Sequence, residues 1–135
     1  MMGSRRHSRE CALQMLFQRD LTGDPVVEIT RNFWEGKTES EDIREFAEAL
    51  LSGTVGKLDR IDPIIKNQTE HWRLERMAAV DRNILRLAVY EMLEGATPPA
   101  VVINEAIEIA RRFSTDESTQ FVNGILDGIR KELEK

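Results

Sequence analysis

The chain has 135 residues, of which 41% are hydrophobic and 32% charged, a composition typical of one globular domain over residues 1–135. With 19 lysines and arginines against 24 aspartates and glutamates, its net charge of −5 excludes a protein that coats nucleic acid with its whole surface, although a local basic patch is still allowed. The lone Cys11 cannot form an internal disulfide, and no apolar run approaches the roughly 20 residues that span a bilayer, so we expect a cytoplasmic protein without a membrane segment.

Glycine, proline and polar turn signals divide the chain into segments with helical periodicity, and no segment shows the sustained alternation of a strand. The sequence therefore predicts an all-α fold with about seven helices. The predicted ranges are 4–21, 26–35, 40–59, 62–70, 73–94, 99–113 and 117–133.

The predicted first helix begins with arginines and continues with apolar residues. At about 100° per residue, Arg5 and Arg9 lie in line with Leu16, and Arg6 lies in line with Leu13. The apolar stripe of this helix, which we expect to enter the core, thus continues toward the amino terminus as a row of guanidinium groups. Such arginines can project past the core onto a ligand, or one can fold back onto a buried carboxylate. We expect both, on different residues.

The stretch 77–93 of the predicted fifth helix is apolar around more than half of its circumference, which is typical of a central helix with neighbours on several sides. Asp81 and Glu91 fall inside this apolar arc, where a charge needs a partner or must face something other than water. Glu91 is the natural partner for an arginine such as Arg9. Asp81 lies in the first turn, where the helix dipole also favours a carboxylate.

Little in the sequence fits a catalyst. His7 and His71 are isolated in sequence from acidic partners, and neither has a cysteine or a second histidine at metal-ligand spacing. Cys11 could be a nucleophile only with a base nearby, and its place on the first helix favours a small buried residue. No phosphate-binding glycine loop occurs. We therefore expect no enzyme, no metal site and no cofactor.

Basic and aromatic residues occur together at the start of the first helix and around the turn between the last two helices. Arginine and exposed aromatic rings are the residue types that grip phosphates and stack on unpaired bases. A solvated helix end and buried phenylalanines are the alternative explanation. The candidate RNA-binding residues are Arg5, Arg6, Arg9, Phe17, Arg112 and Phe121.

Four segments follow one another over nearly the whole chain, while the region 20–75 contributes mainly its helical pattern. The segments are RRHSRECALQMLF (5–17), ILRLAVYE (84–91), VINEAIEIA (102–110) and FVNGILD (121–127). In this order and spacing they resemble NusB, a family of bacterial transcription antitermination factors. The combination is far more specific than any one of the segments.

The resemblance implies an all-α fold of two small helical subdomains packed across each other. It also implies a role, because NusB-like proteins pair with NusE, a small-subunit ribosomal protein, and bind the boxA element of nascent single-stranded RNA. The complex helps RNA polymerase to read through terminators, chiefly in ribosomal RNA operons. On this basis the arginine-rich start contributes to the RNA surface, with Phe17 and Phe121 near it. Asp81 aligns with an acidic position on the NusE-facing side, so the resemblance implies that the apolar arc there meets a partner protein and that Asp81 and Arg82 bind NusE.

Two alternatives stay open. The same helical fold serves as the amino-terminal RNA-binding domain of ribosomal RNA cytosine methyltransferases, but the sequence ends at Lys135 with no cofactor-binding domain after it, so we expect a free-standing factor. The other alternative is a protein-interaction scaffold that binds no RNA. An exposed apolar arc around Asp81 would also be consistent with a homodimer that forms when NusE is absent.

Overall fold

A computed structural model describes the backbone of residues 2–69 and 74–135 and the side chains from residue 4 onward in these ranges. This part of the chain contains seven α-helices, a short 3-10 turn and no strand, which confirms the predicted all-α class. None of its helices combines the length and the apolar character that crossing a bilayer requires. The helices are α1 (Met2–Thr22), α2 (Val26–Trp34), α3 (Glu41–Gly56), α4 (Leu58–Gln68), α5 (Ala79–Glu94), α6 (Pro99–Phe113) and α7 (Asp116–Leu133), with the 3-10 turn at Leu74–Arg76.

The helices pack as two subdomains, each around its own apolar cluster. The amino-terminal cluster lies between α1, α2 and α3, and the larger carboxy-terminal cluster lies between α4, α5, α6 and α7. Each cluster also contains a residue from the other subdomain: Leu13 of α1 belongs to the larger cluster, and Leu87 of α5 belongs to the smaller one. The helices α1 and α5 therefore join the two subdomains through buried apolar side chains.

The predicted helix over 73–94 is wrong at its start, because α5 begins only at Ala79. Residues 70–73 lie outside the described part of the chain. Ahead of α5, the Nη1 atom of Arg82 donates to the carbonyl oxygens of Leu74 and Met77 at 3.3 and 3.4 Å. These bonds satisfy carbonyl groups that a continuous helix would pair internally, and so they stabilise the break.

The boundary between α3 and α4 also differs from the prediction. Asp62 and Pro63 indicated a helix start, but α4 begins at Leu58 and contains Pro63 in its interior. Ile61 and Ile65 are both fully buried, one turn apart, so the apolar stripe runs through the proline. The packing of this stripe on the carboxy-terminal cluster outweighs the helix-breaking tendency of proline.

Candidate functional site

A buried ion pair lies where the amino-terminal half of α1 crosses α5. Arg9 is only 7% exposed, and its Nε and Nη2 atoms donate to the two carboxylate oxygens of Glu91, each at 2.8 Å. Its Nη1 atom lies 3.6 Å from Glu105 on α6. The structure thus brings together Arg9 and Glu91, as the apolar arc of α5 indicated. A guanidinium held on two sides and 7% exposed serves the packing of the helices, and the contact of Arg9 with RNA stays a prediction.

Two exposed arginines form further ion pairs between α1 and α6. Arg6 is 38% exposed and places Nη2 at 2.6 Å from Glu105, and this hydrogen bond raises the pKa of Arg6 above its usual value. Arg112 is 65% exposed and places Nη1 at 2.7 Å from Glu10. The carboxylates lie 6% and 8% exposed, so each pair has a buried acid beneath a cation that reaches solvent.

Arg5 is exposed and rests on an aromatic ring. Its guanidinium carbon lies 4.0 Å from the ring centroid of Phe46 on α3, and that of Arg9 lies 5.5 Å from the same ring. The sequence analysis did not identify Phe46 as a contact of the arginines. Arg5, Arg6 and Arg112 therefore surround the buried Arg9 and make one basic surface on α1 and α6, which we call the arginine surface.

The two phenylalanines predicted near the arginines line a groove and a recess. Phe17 is half-buried, three turns or roughly 16 Å along α1 from Arg6, and lines an apolar groove of about 560 Å³ together with Phe33 and Phe113. Phe121 is half-buried on α7 and lines a separate recess of about 300 Å³. The Phe17 groove adjoins the arginine surface at Arg112, whose guanidinium carbon lies 5.2 Å from the ring centroid of Phe113, whereas none of the three arginines lines the Phe121 recess.

Asp81 lies in the same recess as Phe121, at the start of α5. It is buried, and its Oδ1 atom accepts a hydrogen bond of 2.8 Å from the hydroxyl of Ser114. The recess is also lined by Arg76, Met77, Ala78, Glu117 and Ser118. A carboxylate beside apolar side chains at an open recess suits a partner with both basic and apolar groups, and the hydrogen bond from Ser114 fixes its orientation.

Arg82 makes its contacts within the protein, between α5 and the end of α1. Its Nε and Nη2 atoms lie 3.1 and 3.0 Å from Asp20 at the end of α1, and Asp20 also accepts hydrogen bonds from Asn83 and Arg86. Arg86 continues to Asp62 on α4 with bonds of 2.9 and 3.0 Å. Arg82 therefore has a structural role within the chain, and its direct contact with a partner stays a prediction. The spacing of positions 82, 83 and 86 on one side of a helix is the signal that could have revealed the cluster.

The cluster around Asp20 makes the stability of the fold depend on acid pH. Burial raises the pKa of Asp20, but the hydrogen bonds from Asn83 and Arg82 and the charge of Arg86 outweigh burial and leave the pKa below its usual value. A carboxyl group with a lowered folded pKa stabilises the fold above its unfolded pKa of about 3.9, and this contribution is lost as the pH falls through the folded pKa.

We therefore expect Asp20→Asn to lower the free energy of unfolding by about 1–3 kcal/mol at pH 7 and by much less at pH 3. Urea unfolding at both pH values measures the difference. Asp127→Asn is the matched control, because Asp127 is exposed on α7 and pairs only with a lysine one turn away. A loss of equal size at both pH values would show that the charge of Asp20 is irrelevant to stability.

His7 has neighbours that the sequence did not indicate. Its Nε2 atom lies 2.6 Å from Glu39 and 3.8 Å from the sulfur of Cys11, one turn along α1. Both contacts use the same ring nitrogen, and the Nδ1 atom on the opposite side of the ring lies 3.9 Å from Glu10, beyond the reach of the second hydrogen bond that a nucleophile–histidine–acid relay needs. Burial, with the charges of Glu39 and Glu10, raises the pKa of Cys11 to about 11, so the thiol stays protonated at neutral pH. The arrangement is structural.

Metal-ligating side chains do not gather elsewhere in the described ranges either. No group of three or more histidine, cysteine, aspartate or glutamate side chains there is placed to hold a metal ion. His71 lies outside the described residues. The geometry that stands out is therefore the arginine surface on α1 and α6, and the groove and recess on either side of the start of α5.

Comparison with known proteins assigns these features to a family. The model of the NusB family matches residues 6–131 of the chain. The chain belongs to the NusB family. It is 51% identical to the transcription antitermination protein NusB of Koribacter versatilis over 134 residues, which cover 98% of this chain and 92% of that protein. The corresponding protein of Solibacter usitatus is 49% identical over the same coverage.

Solved structures give the same result. The fold matches T. maritima NusB with a TM-score of 0.84 at 40% identity, covering 95% of this chain and 91% of that one. It matches a chain in a structure of the antitermination factors NusB and NusE in complex with double-stranded RNA with a TM-score of 0.89 at 29% identity, covering 98% and 99%. The resemblance read from four sequence segments, and the fold it implied, are thus confirmed. The residues that match the family model include Arg6 and Arg112 of the arginine surface and the recess at Asp81.

Proposed function

We propose that this NusB-family chain is a transcription antitermination factor without enzymatic activity. In this proposal it binds boxA-type single-stranded RNA together with NusE, as part of a cytoplasmic RNA polymerase antitermination complex that promotes read-through in ribosomal RNA operons. Residues 1–135 act as one RNA-binding domain. The observation that carries the proposal is the arginine surface, in which Arg5, Arg6 and Arg112 reach solvent around a buried arginine.

The arginine surface has the chemistry for phosphate recognition. Guanidinium groups bind phosphate oxygens through two parallel hydrogen bonds, and the three exposed arginines are carried by helices rather than by loops. The buried pair between Arg9 and Glu91 holds α1 against α5 beneath them. RNA therefore meets cations at fixed positions, which lowers the entropy lost on binding.

The charge of the chain favours binding with a partner. A net charge of −5 repels RNA at long range, and three arginine–phosphate contacts release few counterions, so binding by the chain alone is weak and sensitive to salt. A basic partner enlarges both the positive surface and the contact area. The recess containing Asp81 and Phe121 and the groove lined by Phe17 combine apolar walls with carboxylate and amide groups, which suits such a partner.

The names of the relatives favour this function over its alternative. The related proteins named above are antitermination proteins, and the alignments cover 92% of their length, so they lack the additional catalytic domain of a methyltransferase of the NusB-like type. A solved structure at a TM-score of 0.89 holds NusB with NusE and RNA. The same apolar face would be available to a second copy of the chain when NusE is absent.

The test of the function is a fluorescence anisotropy titration. A labelled boxA-type RNA and a scrambled RNA of equal length are each titrated with the chain, with and without NusE, at two salt concentrations. We expect the complex with NusE to bind the boxA-type RNA at least about tenfold more tightly than the chain alone, since it makes more phosphate contacts over a larger area. Equal affinities in matched buffer, or no preference for the boxA-type RNA, would contradict the proposal.

A second experiment tests the partner face. Asp81→Asn removes the charge but keeps an acceptor for Ser114, so we expect NusE affinity to fall about tenfold and the RNA affinity of the chain alone to stay unchanged. Ser114→Ala is the matched control, because it removes the internal hydrogen bond and keeps the charge. Isothermal titration calorimetry with NusE measures both variants. If Ser114→Ala weakens NusE binding and Asp81→Asn does not, Asp81 acts only in holding α5 against α6.

A further inference from the structure

The cations of the arginine surface are already paired within the protein. The guanidinium of Arg112 lies 2.7 Å from Glu10 and that of Arg6 lies 2.6 Å from Glu105. Both acids are almost fully buried, whereas both arginines reach solvent. A phosphate that binds either arginine therefore approaches a cation whose charge is partly neutralised, and it has to compete with a carboxylate that cannot turn toward water.

We propose that Glu10 and Glu105 limit the RNA affinity of this chain by holding Arg112 and Arg6 in ion pairs that RNA phosphates have to displace or share. This inference rests on the proposed binding of RNA at the arginine surface. It assigns a role to two acids that the sequence pattern left without one. The effect on RNA is specific to these two carboxylates because each contacts a surface arginine directly.

The Arg6–Glu105 and Arg112–Glu10 ion pairs differ in the free energy that is needed to open them. If Arg6 moves toward a phosphate, Glu105 retains a second cation, since the Nη1 atom of Arg9 lies 3.6 Å away. If Arg112 moves, Glu10 keeps one other ion-pair neighbour in the described part of the chain, which is His7. The Nδ1 atom of His7 lies 3.9 Å away, and its imidazole is charged only when protonated. An unpaired buried carboxylate is costly. Glu10 therefore restrains Arg112 more strongly than Glu105 restrains Arg6.

The test compares variants of the full chain by anisotropy with the boxA-type RNA. Glu10→Gln is expected to lower the Kd about three- to tenfold, and Glu105→Gln about two- to threefold, in line with the strength of charge-assisted pairs near a surface. Glu45→Gln is the matched control, because it makes the same change of charge at an exposed site on α3, and its effect should stay below about twofold. The gain from Glu10→Gln should disappear when Arg112 is also replaced with glutamine.

Glu10→Asp keeps the charge of the chain but shortens the acid by one methylene group, so it loosens the contact with Arg112 without changing long-range electrostatics. We expect it to raise RNA affinity in the same direction as Glu10→Gln, and it serves as the second variant if Glu10→Gln does not give a cooperative thermal transition. Thermal denaturation of each variant checks the fold.

The outcomes separate this inference from the proposed function. If the wild-type chain binds no RNA with or without NusE, both are overturned. If the wild type binds RNA and the Glu10 variants raise RNA affinity no more than Glu45→Gln does, only this inference is overturned. Weaker binding by the Glu10 variants would also overturn it, because the carboxylate would then position Arg112 for phosphate instead of restraining it.

Discussion

Arg9→Ala is expected to destabilise the protein by about 3–5 kcal/mol, because it leaves the Glu91 carboxylate buried without its two-point partner. For a domain of this size, such a loss lowers the melting temperature by roughly 10–20 °C. Thermal denaturation followed by circular dichroism at 222 nm measures the shift, provided that unfolding is two-state.

Two further variants identify the cause. Arg5→Ala should cost less than about 1 kcal/mol, because it removes an exposed cation from the Phe46 ring and leaves no buried charge. Arg9→Met combined with Glu91→Leu should recover most of the lost stability, since both charges are then replaced by apolar groups of similar volume. A melting temperature for Arg9→Ala within a few degrees of wild type would show that Glu91 finds another partner or becomes hydrated.

The largest effect on binding is expected from the arginine surface. Replacing Arg5, Arg6 and Arg112 together with glutamine should weaken binding of the boxA-type RNA roughly 10- to 100-fold, as three phosphate contacts are lost. The slope of log Kd against log salt should fall by about two, at roughly 0.7 per contact with a single strand. Glutamine is chosen because its amide can still donate to Glu105 and Glu10, which keeps these buried acids hydrogen-bonded.

The matched control removes three arginines from other helices. Arg31, Arg60 and Arg130 lie on α2, α4 and α7, and their replacement with glutamine makes the same change of net charge. We expect this control to alter RNA affinity less than about threefold, through long-range charge alone. Similar losses in the two triple variants would mean that RNA responds to the overall charge and not to the arginine surface. NusE affinity should stay unchanged in both.

The parts of the structure that follow from apolar spacing were predictable. The apolar arc of α5 identified Glu91 as a buried acid in need of an arginine, and the structure pairs it with Arg9. The helical stripe of α6 fixed its limits at 99 and 113, which are those observed. Such features depend on residues within one helix or on a charge that stands out against an apolar face.

The parts that depend on how helices cross were not predictable. Arg82 looked like a surface cation because its carbonyl partners belong to a chain break that no local signal marks. Phe17 and Phe121 share the aromatic character of base-stacking residues, but they line a groove and a recess, and this placement depends on how the helices cross. The contact between His7 and Cys11 was not predicted either, although a spacing of four residues places both side chains on one face of the same helix.

The use of α1 by both subdomains has a consequence for the order of folding during synthesis. Arg9 and Glu91 are 82 residues apart in sequence, and the amino-terminal cluster also needs Leu87. The ribosome therefore has to release α5 before the first three helices can complete their core, and α6 before Glu105 reaches Arg9. Contacts of such long sequence separation are slow to close and make the two subdomains unfold as one cooperative unit.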